Sequence, residues 1–419
     1  MTAGMSQTRK RHVSLGIRGR LLGTMAVVAA WSVGFAGGAP SAVAVDAQSK
    51  QWYLVPMRAE EMWKTTTGEG VKVAVIDSGV NSRTPSLRGQ VLAGFDATGA
   101  EGDEYDDYDG HGTSMAELIA GTGKGGGLQG LAPGAKIIPI RITDTKFQNE
   151  HSVNANDTVD AIRAASDSDA QIISMSFASD FPSSEEREAV EYAESKGKLF
   201  FAGVGNNARA GNKEQYPAAY PQVVGVAATD SSGGASAYSQ HGKTVDIAAP
   251  GDGIPTWCDS TFQSYCDTEG GTSQATAITS ASAALIWSAH PEWTANQVLN
   301  VLFDTAGRGD WEKGTLSNYL GHGIIRPAVN ILKGTGDPGE ADISPLTKEK
   351  TSGSEGSGAP SASASSQPEK KDKAEDAAMA GSSTEKNDSS QLGLILGGVA
   401  AVLVIGGGAF ALVRKRRSA

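Results

Sequence analysis

Val71-Lys72-Val73-Ala74-Val75-Ile76-Asp77-Ser78-Gly79 is the stretch on which the reading of this chain turns. Its β-branched run predicts a strand buried on at least one face. The Asp-Ser-Gly that ends it puts a carboxylate at the strand's carboxyl end, where open α/β sheets hold their ligands. Two more stretches follow at a distance: Asp109-Gly110-His111-Gly112-Thr113-Ser114 and Gly271-Thr272-Ser273-Gln274-Ala275. Each carries one reactive side chain beside glycine or other small residues, so a substrate backbone can come close. A carboxylate that orients an imidazole, an imidazole that takes a proton and a hydroxyl that attacks are the parts of nucleophilic catalysis. Asp77, His111 and Ser273 are therefore the candidate catalytic residues. The bland alternatives are a loop carboxylate, a structural histidine and a helix N-cap. The N-cap reading is compatible with catalysis. The small residues from Ala275 to Ala284 predict a buried helix, and its N-terminus favours developing negative charge.

The chain order Asp, His, Ser is one of three unrelated orders for this geometry, and it is the subtilisin order. With the motifs quoted above, the chain resembles the subtilases, a family of serine peptidases. Similar words recur at Gly130-Leu131-Ala132-Pro133, Tyr216-Pro217-Ala218, Ala249-Pro250-Gly251 and Gly321-His322-Gly323, so the resemblance spans about residues 50–334. It implies an α/β fold, a subtilisin-like, mostly parallel sheet with helices on both faces. It also implies that Asn206, in Gly203-Val204-Gly205-Asn206-Asn207, donates to the oxyanion, with Asn207 as its neighbouring competitor. Ile172 to Ala178 resembles the family's substrate-binding strand, which makes Ser176, Phe177 and Ala178 candidate substrate contacts. Ala178 replaces the usual glycine, so small or unbranched substrate side chains are expected there. Where the family usually has proline, four residues after the nucleophile, Ala277 stands instead.

The ends of the chain read differently from its middle. Residues 1–44 hold five Lys or Arg and no acid, with Arg9-Lys10-Arg11, an apolar run from Leu21 and Ala42-Val43-Ala44, the pattern of a signal peptide. Leu392 to Val413 is 22 residues without a charge, about 33 Å as a helix and long enough to cross a bilayer core. Arg414 to Arg417 follows at once, which predicts a cytoplasmic tail and everything before the span outside. Residues 335–391 are Ser, Gly, Pro, Lys, Glu and Ala with few large apolar side chains, the composition of a disordered linker. The expected layout is thus signal peptide 1–44, N-terminal arm 45–70, catalytic domain 71–334, linker 335–391, membrane helix 392–413 and basic tail 414–419.

Setting the nine cations of the two ends aside, the net charge of −11 becomes −20 for residues 45–413. That argues against nucleic acid as a partner. It allows steering of basic substrates, though strong negative charge also serves solubility. Glu101 to Asp109 places six carboxylates just before His111. Three readings stand for them: a solvated loop, a Ca²⁺ site built from oxygen ligands, or recognition of basic substrate residues through Asp109. No cofactor or metal is required by the candidate chemistry. Cys258 and Cys266 are the only cysteines. In an exported chain they are expected to form a disulfide around a short loop.

A short arm in place of a folded prodomain, a subtilase core, a linker, one C-terminal span and a basic tail together resemble the mycosins, actinobacterial proteases of type VII secretion. That resemblance implies exported protein substrates and a membrane secretion complex as partners. A cysteine expected just before the catalytic histidine is replaced by Tyr108. Two other roles compete with a dedicated protease: a structural component of a secretion complex, and a general cell-surface protease.

Overall fold

The computed structural model describes residues 47–152 and 157–351. The expected signal peptide, membrane helix, basic tail and the linker beyond residue 351 lie outside them. Seven strands form the main sheet: β1 (Lys72–Asp77), β2 (Phe95–Asp96), β3 (Lys136–Arg141), β4 (Ile172–Met175), β5 (Leu199–Gly203), β6 (Val224–Thr229) and β7 (Ile247–Pro250). Their order is β2-β3-β1-β4-β5-β6-β7, and every neighbouring pair is parallel. The chain lays β2 and β3 on one side of β1, then crosses to lay β4 on the other. The order therefore reverses beside β1, and the crevice at its carboxyl end is a topological switch point. Asp77 is the last residue of β1.

Because parallel sheets are covered on both faces, their strands are apolar almost throughout. In β1, Val73 and Val75 belong to one hydrophobic core and Ala74 and Ile76 to the other, as the two-residue period of a strand requires. The first core holds residues of α2 (His111–Ala120), α6 (Thr272–Ala289), α7 (Ala295–Thr305) and α8 (Pro327–Lys333). The second holds residues of α4 (Asp157–Asp167) and α5 (Ser184–Ser195). Two short helices complete the set: α1 (Ala59–Met62) in the arm and α3 (Thr145–His151) after β3.

Helix α6 is buried almost throughout although it is rich in Ser and Thr. Thr276, Thr279 and Ser282 each return their hydroxyl to the carbonyl four residues back, at 2.7–2.8 Å. Buried hydroxyls satisfied within their own helix avoid the desolvation cost of an unpaired polar group. Ala277 is fully buried, and the helix runs unbroken through the position where proline was expected.

The arm is fastened to the catalytic body. Tyr53 is fully buried, the Gln51 side chain exchanges hydrogen bonds with the Gln129 backbone, and Trp52 and Trp63 donate their indole N–H groups to the carbonyls of Asp252 and Leu131. The folded body also extends further than composition predicts. Residues 335–351, read from sequence as the start of the linker, lie against α7: Thr294 Oγ1 donates to the Ala341 carbonyl and Asn300 Nδ2 to the Pro338 carbonyl. Leu346 joins the first core, and Ser344 is buried. A composition averaged over the whole segment hides these few anchoring residues at its beginning. A chain ending at Gly334 should melt below one ending at Thr351, by about 2–4 °C for each kcal/mol of packing lost. Equal melting temperatures would mean that the segment contributes nothing to the fold.

Candidate active site

Asp77 is buried, and its Oδ1 accepts the Ser78 backbone N–H at 2.7 Å. Its two oxygens lie 2.8 and 2.9 Å from Nδ1 of His111, the first residue of α2. The carboxylate selects the tautomer that donates from Nδ1 and leaves Nε2 free to take a proton. Two glycines make this approach sterically feasible. Gly79 has φ 110°, and a Cβ on it would lie 2.7 Å from the Asp106 carbonyl oxygen. A Cβ on Gly112 would lie 2.2 Å from the Gly79 carbonyl oxygen and 3.0 Å from the Asp77 Cβ. Any side chain there would hold α2 away from β1.

Asp107, which the sequence reading left inside the acidic run, holds the start of α2. One of its oxygens accepts from Thr113 N and Oγ1 at 2.8 and 2.6 Å. The other accepts from Ser78 Oγ, Asp109 N and Gly110 N at 2.7–3.0 Å. Ser78 Oγ in turn accepts from Gly112 N at 3.0 Å. The strand end and the helix start are thus joined through one buried carboxylate. An acid just ahead of a helix start is a capping signal, and it was the available clue. Its neighbours also serve the loop: Glu104 accepts from Gly94 N, Asp103 from Tyr105 N and Asp106 from Asp103 N. Among the described residues, no three His, Cys, Asp or Glu side chains converge so as to hold a metal ion.

The environment of His111 favours its cation. Burial alone would push its pKa down, but the Asp77 charge and hydrogen bond, backed by Asp109 and Asp107, outweigh that and raise it to about 9. Its side chain keeps 31% of its surface open to the cleft.

Ser273 is the second residue of α6, whose N-cap is Gly271, so its hydroxyl has no capping duty. It has no side-chain hydrogen bond to another described residue. Asn206 Oδ1 accepts from Thr272 N and Oγ1 at 2.9 and 3.1 Å, which fixes the amide and leaves its NH₂ as a donor. Asn207 is tied through its backbone: its N–H donates to Gln240 Oε1 and its carbonyl accepts from Ala210 N. Ser273 and both asparagines line one cavity of about 300 Å³. Asp77 and His111 line a second of about 860 Å³. Ser176, Phe177 and Ala178 line both; the strand expected to reach Ala178 ends at Met175, and these three residues form an irregular continuation shared by the two chambers. None of residues 47–70 lines either chamber.

Cys258 and Cys266 are joined in a disulfide across the hairpin of β8 (Thr256–Trp257) and β9 (Tyr265–Cys266). This hairpin rests on α2: Trp257 N donates to Ser114 Oγ at 2.9 Å, and Tyr265 OH donates to Glu117 at 2.6 Å. Glu117 is fully buried and also accepts from Thr84; burial pushes its pKa up to about 7 against those hydrogen bonds. The partners of Glu117 come from elsewhere in the chain, so no local pattern assigns them.

A carboxylate–imidazole pair at the switch point of a parallel sheet, sharing a cleft with a serine at the start of a buried helix, is the layout of a subtilisin-like serine protease. The subtilase family model matches residues 68–323, and the chain belongs to that family. It is 34% identical to thermitase from Thermoactinomyces vulgaris over 279 residues, covering 65% of this chain and 95% of thermitase. It is 35% identical to subtilisin E from Bacillus subtilis, covering 57% of this chain and 61% of that protein. Its structural neighbours include mycosins. MycP1 from Mycobacterium smegmatis aligns with TM-score 0.60 at 27% identity, over 71% of this chain and 88% of MycP1. MycP3 protease from the type VII (ESX-3) secretion system aligns with TM-score 0.58 at 28% identity, over 69% and 90%.

The raised pKa of His111 fixes the sign of its pH linkage. The protonated ring contributes stability that is fully present below pH 6.5 and is lost as pH rises through about 9. In NMR titration His111 should titrate above 6.5, and Asp77→Asn should bring it down. An unmoved titration in that variant would remove Asp77 as the cause.

Proposed function

We propose that this protein is a membrane-anchored serine endopeptidase acting outside the cytoplasm, cutting proteins through Asp77, His111 and Ser273 in the setting of type VII secretion. The observation that carries the reading is the 2.8 Å contact of His111 Nδ1 with Asp77 in a cleft that continues to Ser273. The signal and membrane segments of the sequence support the location, and the mycosin neighbours support the secretion setting.

In this mechanism the Ser273 oxygen attacks the scissile carbonyl carbon while the neutral form of His111, whose share grows as pH rises towards about 9, takes its proton at Nε2. Asp77 stabilises the imidazolium. The tetrahedral oxyanion receives a hydrogen bond from the Asn206 NH₂ and lies at the N-terminus of α6, where free N–H groups favour negative charge. Collapse breaks the C–N bond, His111 gives its proton to the leaving amine, and an acyl-enzyme remains. A water deprotonated by His111 then releases the acid and regenerates Ser273. The serine–imidazole hydrogen bond is often looser in a free enzyme than in its Michaelis complex. No cofactor takes part. Ala178 adds a methyl group where the two chambers meet, in keeping with small or unbranched substrate side chains there.

A fluorophosphonate probe followed by mass spectrometry should label Ser273 alone. Ser273→Ala should lose on the order of 10⁶ in turnover, the figure known for subtilisin. Asn206→Ala should lose about 10²–10³ in kcat. Labelling elsewhere in active protein would overturn the assignment. Secretion that survives Ser273→Ala but fails on loss of the whole chain would favour the structural role. Broad cleavage of unfolded proteins would favour a general surface protease.

A further inference from the structure

The two chambers of the cleft differ in charge. The smaller one, beside Ser273, has no ionisable side chain in its lining. The larger one is lined by six carboxylates, Asp77, Asp109, Asp144, Asp157, Asp180 and Glu186, and by no Lys or Arg. Asp77 is engaged with His111, and Asp180 is paired with Lys213 at 2.9 Å. Asp109, Asp144, Asp157 and Glu186 have no cation within ion-pair distance among the described residues.

The acids do not converge on a metal site. They are distributed along a chamber that the candidate substrate-binding residues after β4, Ser176 to Ala178, also line, so they suit a ligand that passes them in sequence. Glu186 is the informative member. It is 6% exposed; its Oε2 accepts from Thr158 Oγ1 at 3.1 Å, while its buried Oε1 has no hydrogen-bond partner. An unpaired buried carboxylate oxygen costs free energy unless a donor reaches it. Tyr108, Phe177 and Phe181 lie in the same lining, and Phe181 is 77% exposed. Aromatic faces beside carboxylates suit a side chain with an apolar stem and a cationic head.

We infer that the larger chamber selects peptide substrates carrying lysine or arginine, seated there by Glu186 and Asp109, while the chamber beside Ser273 takes an uncharged side chain. The inference rests on the protease reading for the direction of the cleft, but binding tests it without turnover. A basic head seated beside Glu186 and Asp109 neutralises the charge of the cluster. An acidic residue in the same place adds like charge to four carboxylates without an ion-pair partner among the described residues, although Asp144, Asp157 and Glu186 accept hydrogen bonds from Phe147, Thr143 and Thr158.

The test uses the full-length Ser273→Ala chain and sets of eight-residue peptides. Within each set the peptides are identical except for Lys, Gln or Glu at one position, and that position is moved along the peptide from set to set. Titration calorimetry should give Lys over Gln a preference on the order of tenfold at one or more positions, and Glu the weakest binding there. The preference should shrink with added salt. Glu186→Gln in the same background should reduce the Lys-to-Gln ratio. A purely structural Glu186 would lower the melting temperature and leave the ratio unmoved. Equal affinities for Lys and Gln at every position, or tighter binding of Glu, would overturn the inference. Absence of fluorophosphonate labelling at Ser273 in the unsubstituted chain would instead count against the protease reading.

Discussion

The close approach of α2 to the end of β1 is the constraint on which the site depends. Asp77 and His111 are 34 residues apart in sequence, and their side chains meet at 2.8 Å. That contact needs a helix whose second residue has no side chain, because a Cβ on Gly112 would lie 2.2 Å from the Gly79 carbonyl oxygen. The backbone at Gly79 must also take a positive φ to turn under the helix. Once the two elements are seated, Asp107 joins them through Ser78, Gly110 and Thr113. The carboxylate–imidazole geometry therefore follows from backbone packing, not from the two side chains seeking each other.

The sheet supplies the frame for this contact. β1 has β3 on one side and β4 on the other, so the crevice at its carboxyl end opens where the winding reverses. β4 leads into Ser176 to Ala178, β5 leads towards Asn206, and the start of α6 is tied to Asn206 through Thr272. The candidate groups are thus carried by the ends of several strands of one sheet and the starts of two helices packed on it. The disulfide hairpin buttresses α2 from outside through Ser114 and Glu117. Charge in the cleft is uneven by construction: acids gather on the Asp77 side, where α3, α4 and α5 present their caps or first turns.

Much of this was legible before any coordinates. The Val71 to Ile76 run, the glycines around His111 and the small-residue stretch after Ser273 carry local signatures of strand, close approach and buried helix. The fold class and family follow from their order. The acidic run before His111 was less legible, because a carboxylate that caps a helix and one that faces solvent look alike in composition. The structure turns Asp107 inward and keeps Asp109 exposed, a distinction of two positions. Likewise, residues 335–351 read as linker because a few anchoring contacts are lost in an average over a polar segment.

By itself the sequence determined which chemical groups are present, in what order, and on what kind of element each sits, since periodicity, capping and glycine placement are local properties of the backbone. Only the tertiary structure decided which carboxylates compensate one another, which oxygen of Glu186 stays unpaired, and that Ser176 to Ala178 joins a neutral chamber to an acidic one. These depend on distances between residues far apart in the chain. Such distances are set by how the sheet and its helices pack, and no local pattern of residues encodes them.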